Sequence, residues 1–261
     1  MPDEARPDWR LLFETTLAAD MPAAYSGGPE HKAGARIVMS TLGARRGAVP
    51  LGFATPSTSA LALSAAIRAA ADAAALRSSL RYTPNISPWG PAEAVTDETM
   101  GKLYDFFEQA YIAIVFSYQA VEAFANEEIQ RLVTAPQHLS LRGRWEDLDA
   151  DACERWLSTE QKIADLLPGL LGITAPKKEK WWPAFKELGR LRDATIHLKA
   201  RHAYPRTGEP TASFFHELLA VRSLAMYPQA GVGAIEHLHQ GRERPTWLQD
   251  ARRLAEGMEL I

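Results

Sequence analysis

Arg190, Arg192, Asp193 and His197 fall within one short segment, and their types suit the cleavage of a phosphodiester bond in RNA. That reaction needs a base to take the proton of the ribose 2′-hydroxyl and an acid to protonate the departing 5′-oxygen. It also needs positive charge beside the pentacoordinate phosphate. A histidine that titrates near neutrality serves as base or acid. An arginine holds two phosphate oxygens in a fixed fork. No metal is required. Asp193 and His197 are four residues apart, so on a helix the carboxylate accepts a hydrogen bond from the imidazole and favours its charged form.

These residues need an element to carry them. Residues 183–200 show helical spacing, with Pro183 suited to the first turn. Phe185, Leu188, Leu191, Thr195, Ile196 and Leu198 share one side of a helical wheel, and Arg192 lies inside that apolar stripe. Glu122 occupies the same kind of position on an earlier helix, beside Tyr118, Val121 and Ala125. A lone buried charge costs several kcal/mol unless paired. The expectation is that the two stripes face one another and that Glu122 pairs with Arg192, either as a plain structural ion pair or as part of a site. Arg192 and His197 are about 140° apart on an ideal helix. To meet one phosphate, the helix must bend or unwind between them, or two copies of the chain must each bring an Arg and a His to a shared cleft.

Lys186, Arg190, Asp193, His197 and Arg201 form the opposite face. The segment 177–206 carries nine Lys or Arg against three acids, in a chain whose formal net charge is −3. Any nucleic-acid contact therefore rests on this local patch, with Lys177, Lys178, Lys180, Lys186 and Arg201 as its RNA-binding candidates, rather than on an overall basic field. A solvated helix face is the plainer account of the same charges.

The remaining elements read as follows. Residues 9–19 suit a short helix, broken at 26–29. Residues 35–42 and 48–55 suit a hairpin around a turn at 43–47. Ser57, Thr58 and Ser59 cap an Ala-rich helix over 60–80. Residues 82–91, with three prolines, read as a linker. Thr96 begins a long amphipathic helix running to about Val133. Further helices are expected over 149–167, 211–227 and 230–239, with a last one from Pro245. The fold class is mainly all-α, with an N-terminal extension over 1–90 and a helical domain over 96–261.

Composition excludes several classes. There is a single cysteine, Cys153, so no internal disulfide forms and a reducing compartment is expected. The first ten residues lack the pattern of a secretory signal, and no run of about 18 apolar residues suggests a membrane span; a cytoplasmic protein is expected. His237 and His239 lack metal-ligand spacing and read as a surface pair, so no metal or other cofactor is expected. Trp181 and Trp182 read as core. Gly231 and Gly233 lack the third glycine and the preceding strand of a phosphate loop.

The segment Leu191-Arg192-Asp193-Ala194-Thr195-Ile196-His197 resembles the R-x(4–6)-H motif of HEPN domains (higher eukaryotes and prokaryotes nucleotide-binding). Asp193 matches the polar residue that often follows the arginine, and Glu122 looks like the polar residue of the preceding long helix. Arg190 satisfies the looser spacing equally, so the pattern leaves Arg190 and Arg192 both open. The resemblance covers about residues 96–230. Lys199 stands where many of these ribonucleases carry a tyrosine, a departure from the toxin-type variant. The resemblance implies an antiparallel helical bundle, a homodimer with a shared cleft, and metal-independent endoribonuclease activity leaving a 2′,3′-cyclic phosphate. It implies RNA, tRNA among it, as substrate, and a role in bacterial toxin–antitoxin or phage-defence systems with an antitoxin or sensor protein as partner. Catalytically silent members bind nucleotide, RNA or a partner protein instead. A further alternative places the function in the first ninety residues, with the helical part as a dimerisation platform.

Overall fold

The structure is a computed structural model and describes residues 8–23, 30–87, 90–141, 143–197 and 213–258. The break expected at 26–29, the end of the helix expected over 183–200 with Lys199, and Arg201 lie outside the described residues. The fold is mainly α-helical, as composition and periodicity require, with small antiparallel strand pairs at its edges.

The N-terminal stretch read as a helix is extended instead. β1 (Glu14–Thr16) pairs with β2 (Arg36–Val38), and β3 (Ser40–Arg46) with β4 (Val49–Ala54). The expected hairpin exists, but its turn is Gly47–Ala48 rather than the five residues 43–47. Gly47 takes a positive φ of 65°, which lets a two-residue turn close the strands.

α1 (Thr58–Ser78) starts where expected. The Ser57 hydroxyl accepts from the Ala60 amide at 3.1 Å, a cap worth about 1 kcal/mol. By length and composition α1 could cross a membrane, contrary to the expectation that no run is long enough. Here Ala60, Leu63, Ala66, Ile67, Ala70 and Ala73 are buried among the other helices.

The segment read as a linker is a hairpin, β5 (Tyr82–Ser87) with β6 (Gly90–Val95). Pro84 and Pro91 are tolerated in it because each strand of a two-stranded ribbon has an open edge, where a missing N–H costs little. The ribbon returns the chain to its start, since the Thr96 amide bonds the Arg81 carbonyl at 2.9 Å. α2 (Asp97–Leu132) therefore leaves that junction beside α1, running back along it.

The third unexpected ribbon is β7 (Gln137–Leu141) with β8 (Arg144–Leu148). The helix expected over 149–167 is broken: α3 (Ala150–Trp156) stops at Leu157, and Ser158 opens a second start with a capping box to Gln161. α4 (Thr159–Gln161), a π-helical turn over Lys162–Leu166 and α5 (Leu167–Leu171) then run on, through Pro168. α6 (Trp182–Ile196) carries the motif and has Pro183 in its first turn. α7 (Phe214–Ala220), α8 (Met226–Leu238) and α9 (Thr246–Glu256) follow.

α2 is the axis. α1, α6 and α8 pack on it, and α9 closes over α1 and α8. The boundary drawn near residue 90 is crossed by the core, because α1 shares one cluster with Phe106, Ile114, Val121 and Ala125 of α2. Two glycines permit the close approach of α8. A Cβ on Gly231 would lie 3.3 Å from the Ser117 carbonyl oxygen, and one on Gly233 would lie 2.8 Å from the Trp181 ring.

Two outcomes follow. Deleting residues 1–90 strips the cover from one side of α2, and the product is expected to be insoluble or to lose cooperative unfolding by circular dichroism. Gly233→Ala forces the Trp181 ring to move and is expected to cost about 1–3 kcal/mol in urea denaturation.

Candidate functional site

The motif helix presents its apolar stripe as expected up to Leu191. Phe185, Leu188 and Leu191 are buried against α2 and α8. Ile196, expected on the same stripe, is half-exposed because the helix ends there. His197 caps α6 with φ −114° and ψ 41°, outside helical values, and its amide bonds the Asp193 carbonyl at 2.9 Å. The helix therefore ends at His197, whose side chain is exposed.

Arg192 lies over the Tyr118 ring, with the guanidinium carbon 5.3 Å from its centroid. Tyr118 in turn stacks on Phe185, centroids 6.0 Å apart and planes 6° from parallel. Gly189 makes room for that ring, since a Cβ there would meet Tyr118 at 3.4 Å. The stack fixes the arginine between two helices. Its side chain is 28% exposed, and the guanidinium bonds the neighbouring Asp193 at 3.0 Å.

Two expected contacts do not form among the described residues. Glu122 makes no ion pair with Arg192, and Asp193 makes none with His197. Glu122 and Arg192 instead share Tyr118 as a neighbour. Burial pushes the Tyr118 hydroxyl above its ordinary pKa; the Glu122 and Asp193 carboxylates add to this, while a Thr159 hydrogen bond and Arg192 oppose it. The cation that Glu122 favours is Lys162, whose side chain is fully buried. Its ammonium donates to Asn126 Oδ1 at 2.8 Å and to the Glu154 carbonyl at 2.7 Å. Burial lowers its pKa, and Glu122 and Glu154 hold it up. Nothing in the sequence marked Lys162, because an isolated lysine among Ile163, Ala164 and Leu166 has no periodic signature of burial.

The choice between the two arginines is sharpened by their partners. Arg190 is gripped by Glu187 of its own helix and by Glu217 of α7, and those carboxylates raise its pKa further. It ties α6 to α7, which leaves Arg192 as the arginine beside the helix end. Lys186 pairs with Glu160 at 2.6 Å and Lys177 with Asp165 at 3.5 Å. Lys178 and Lys180 are exposed and make no ion pair among the described residues. The basic patch is thus more neutralised than its sequence suggested, since acids far along the chain fold back onto it.

The histidine pair read as a surface feature is buried. His237 bonds the Thr174 carbonyl at 2.8 Å and Gln240 at 3.0 Å. His239 is 9% exposed, and neither ring nitrogen has a hydrogen-bond partner. It faces Phe124 at 5.2 Å and lines a cleft walled by the N-terminal arm. Among the described residues no cluster of His, Cys, Asp and Glu suits a metal ion. Burial also pushes the Cys153 thiol up, so it stays protonated and bonds only the Leu148 carbonyl. Trp181 and Trp182 are core residues around α6, as expected.

Compared with family models, curated proteins and solved structures, the chain matches none.

Burial, with help from Arg242, pushes the His239 pKa down to about 4, from an ordinary 6.5. Between those values the unfolded chain binds a proton that the folded chain refuses. Stability is therefore full above about pH 6.5 and falls as pH drops toward 4, by up to about 3 kcal/mol. Urea midpoints measured from pH 7.5 to 4.5 should show this slope, and it should flatten in His239→Phe. An equal slope in both proteins would rule out His239 as its source.

Proposed function

We propose that the chain is a metal-independent endoribonuclease of the HEPN type, acting as a homodimer in the bacterial cytoplasm, in toxin–antitoxin or phage defence. The observation that carries this reading is the end of α6. Arg192 is held over Tyr118, and five residues on His197 caps the end of the helix with its side chain exposed. A phosphate clamp and an exposed imidazole in one stretch of chain are the groups that cleavage by the 2′-hydroxyl needs.

In this reading His197 removes the 2′-hydroxyl proton. The 2′-oxygen attacks phosphorus, the bond to the 5′-oxygen breaks, and that oxygen takes a proton from imidazolium. The products are a 2′,3′-cyclic phosphate and a 5′-hydroxyl. Arg192 leaves Asp193 to grip the phosphate oxygens, an exchange that costs little because a partly exposed pair contributes about 0–1 kcal/mol. Asp193 and Glu122 act as positioning residues around Tyr118 and Lys162. Lys178 and Lys180, with Lys177 and Lys186 exchanging their partly exposed carboxylate partners for phosphate, guide the RNA backbone, and Arg201 extends the patch. The exposed Ile196 beside His197 is the apolar contact by which a second copy completes the cleft. An antitoxin or sensor protein would cover this same end of α6.

The second reading is a catalytically silent helical module that binds nucleotide, RNA or a partner protein. It is favoured by the neutralisation of Lys177, Lys186, Arg190 and Arg192 by carboxylates.

Incubation with total RNA and with tRNA separates the two. Wild type is expected to leave cyclic-phosphate ends in the presence of EDTA. His197→Ala, an exposed position, should keep its circular dichroism spectrum and lose at least about a hundredfold in rate. Cleavage that persists in this variant sinks the assignment. Binding without cleavage by wild type establishes the second reading.

A further inference from the structure

The cleft containing His239 is a built site that the ribonuclease reading does not use. It lies between the N-terminal arm, the last turns of α2 and the connection from α8 to α9, and encloses about 700 Å³. That is within the range of small-molecule sites, about 300–1,000 Å³. Trp9, Phe13 and Trp247 give it aromatic walls.

Its polar end is unusual. Glu128 is buried and accepts from Arg131 at 2.7 Å and Arg242 at 2.8 Å. Burial alone would raise the Glu128 carboxyl, but the two guanidiniums leave it below its ordinary value. This anchored carboxylate fixes Arg242, whose Nε nevertheless has no partner. Beside it both nitrogens of His239 are unpartnered, in a side chain more than nine-tenths buried. A buried donor or acceptor left unmade costs about 1–3 kcal/mol, so three together are an expensive arrangement for packing alone. The neutral imidazole supplies one donor and one acceptor, and Arg242 Nε a second donor. The lining carries four carboxylates, from Asp8, Glu128, Glu243 and Asp250, against three guanidiniums, from Arg131, Arg242 and Arg244. That balance disfavours a phosphate.

We infer that this cleft binds an uncharged planar nitrogen heterocycle of the nucleobase type, stacked by the aromatic walls and read by His239 and Arg242. Its edge offers an acceptor to Arg242 Nε and one partner to a single His239 nitrogen, since the two ring nitrogens point away from each other, and its size, with a ribose attached, fits the volume. The ring nitrogens and Arg242 Nε are shielded from solvent, so the ligand reaches them as these two side chains turn toward the cleft, with Trp9 and Phe13 of the arm staying in place as its walls. The arm is held to the body through the Ser57 amide to the Arg10 carbonyl and the Leu12 amide to the Thr55 carbonyl. The inference stands independently of the role given to Arg192 and His197.

Calorimetric titration of the full chain with adenosine, guanosine, cytidine and uridine tests it, with AMP as the charged control. Saturable binding of at least one nucleoside is expected, weakened at least tenfold in its 5′-monophosphate form when adenosine is the binder. His239→Leu should weaken binding at least tenfold. Trp9→Ala, on the arm and outside the helical core, should do so with the fold unchanged by circular dichroism. Absence of saturable binding by all four nucleosides overturns the inference, as does affinity unchanged in Trp9→Ala and His239→Leu.

Discussion

The close contact between α1 and α2 is the constraint on which the rest depends. It is made from small residues: Ala60, Ala66, Ala70 and Ala73 on one helix, and Ala110, Ala113, Ser117 and Ala120 on the other are all buried. Side chains this short bring the helix backbones close, and the stability they lose in buried apolar area is returned by dense packing along many turns. With α1 in place, α2 has one face left for α6 and one for α8. Gly231 of α8 against Ser117 extends the same logic, a glycine where a backbone must pass close.

That geometry decides where charge can be tolerated. Glu128, Lys162 and His239 are all buried at the edges of this helical assembly, and each is handled differently. Glu128 is held charged by two arginines, and Lys162 by an amide oxygen, a backbone carbonyl and nearby carboxylates. His239 is kept neutral by burial and has no partner. Arg192 belongs to a fourth kind: it is placed over an aromatic ring and also bonds the exposed Asp193 beside it, so its position is set from two sides.

α1, α2 and α6 were legible because helix-forming composition or apolar spacing runs on from a local start signal. Ser57 before α1 and Pro183 in α6 are local signals, and the structure uses them as local signals. The ribbons were not legible. β5 and β6 carry prolines that ordinarily exclude strands, and β7 and β8 lack alternation because both faces of an isolated ribbon meet solvent. The break at Leu157 was hidden because apolar spacing continues across it, while the capping box at Ser158 is only two residues of signal.

The sequence by itself determined where α1, α2, α6 and α9 begin, that Arg192 lies on a largely buried side of α6, and that a basic segment surrounds His197. Those follow from spacing along one element. Tertiary structure alone decided the partners. Arg192 found Tyr118 and Asp193 rather than Glu122, Arg190 was claimed by Glu217, and Lys162 and His239 were buried. Such outcomes depend on which element packs opposite, and burial of a polar group is set by neighbours distant in the chain, which spacing within one helix cannot encode.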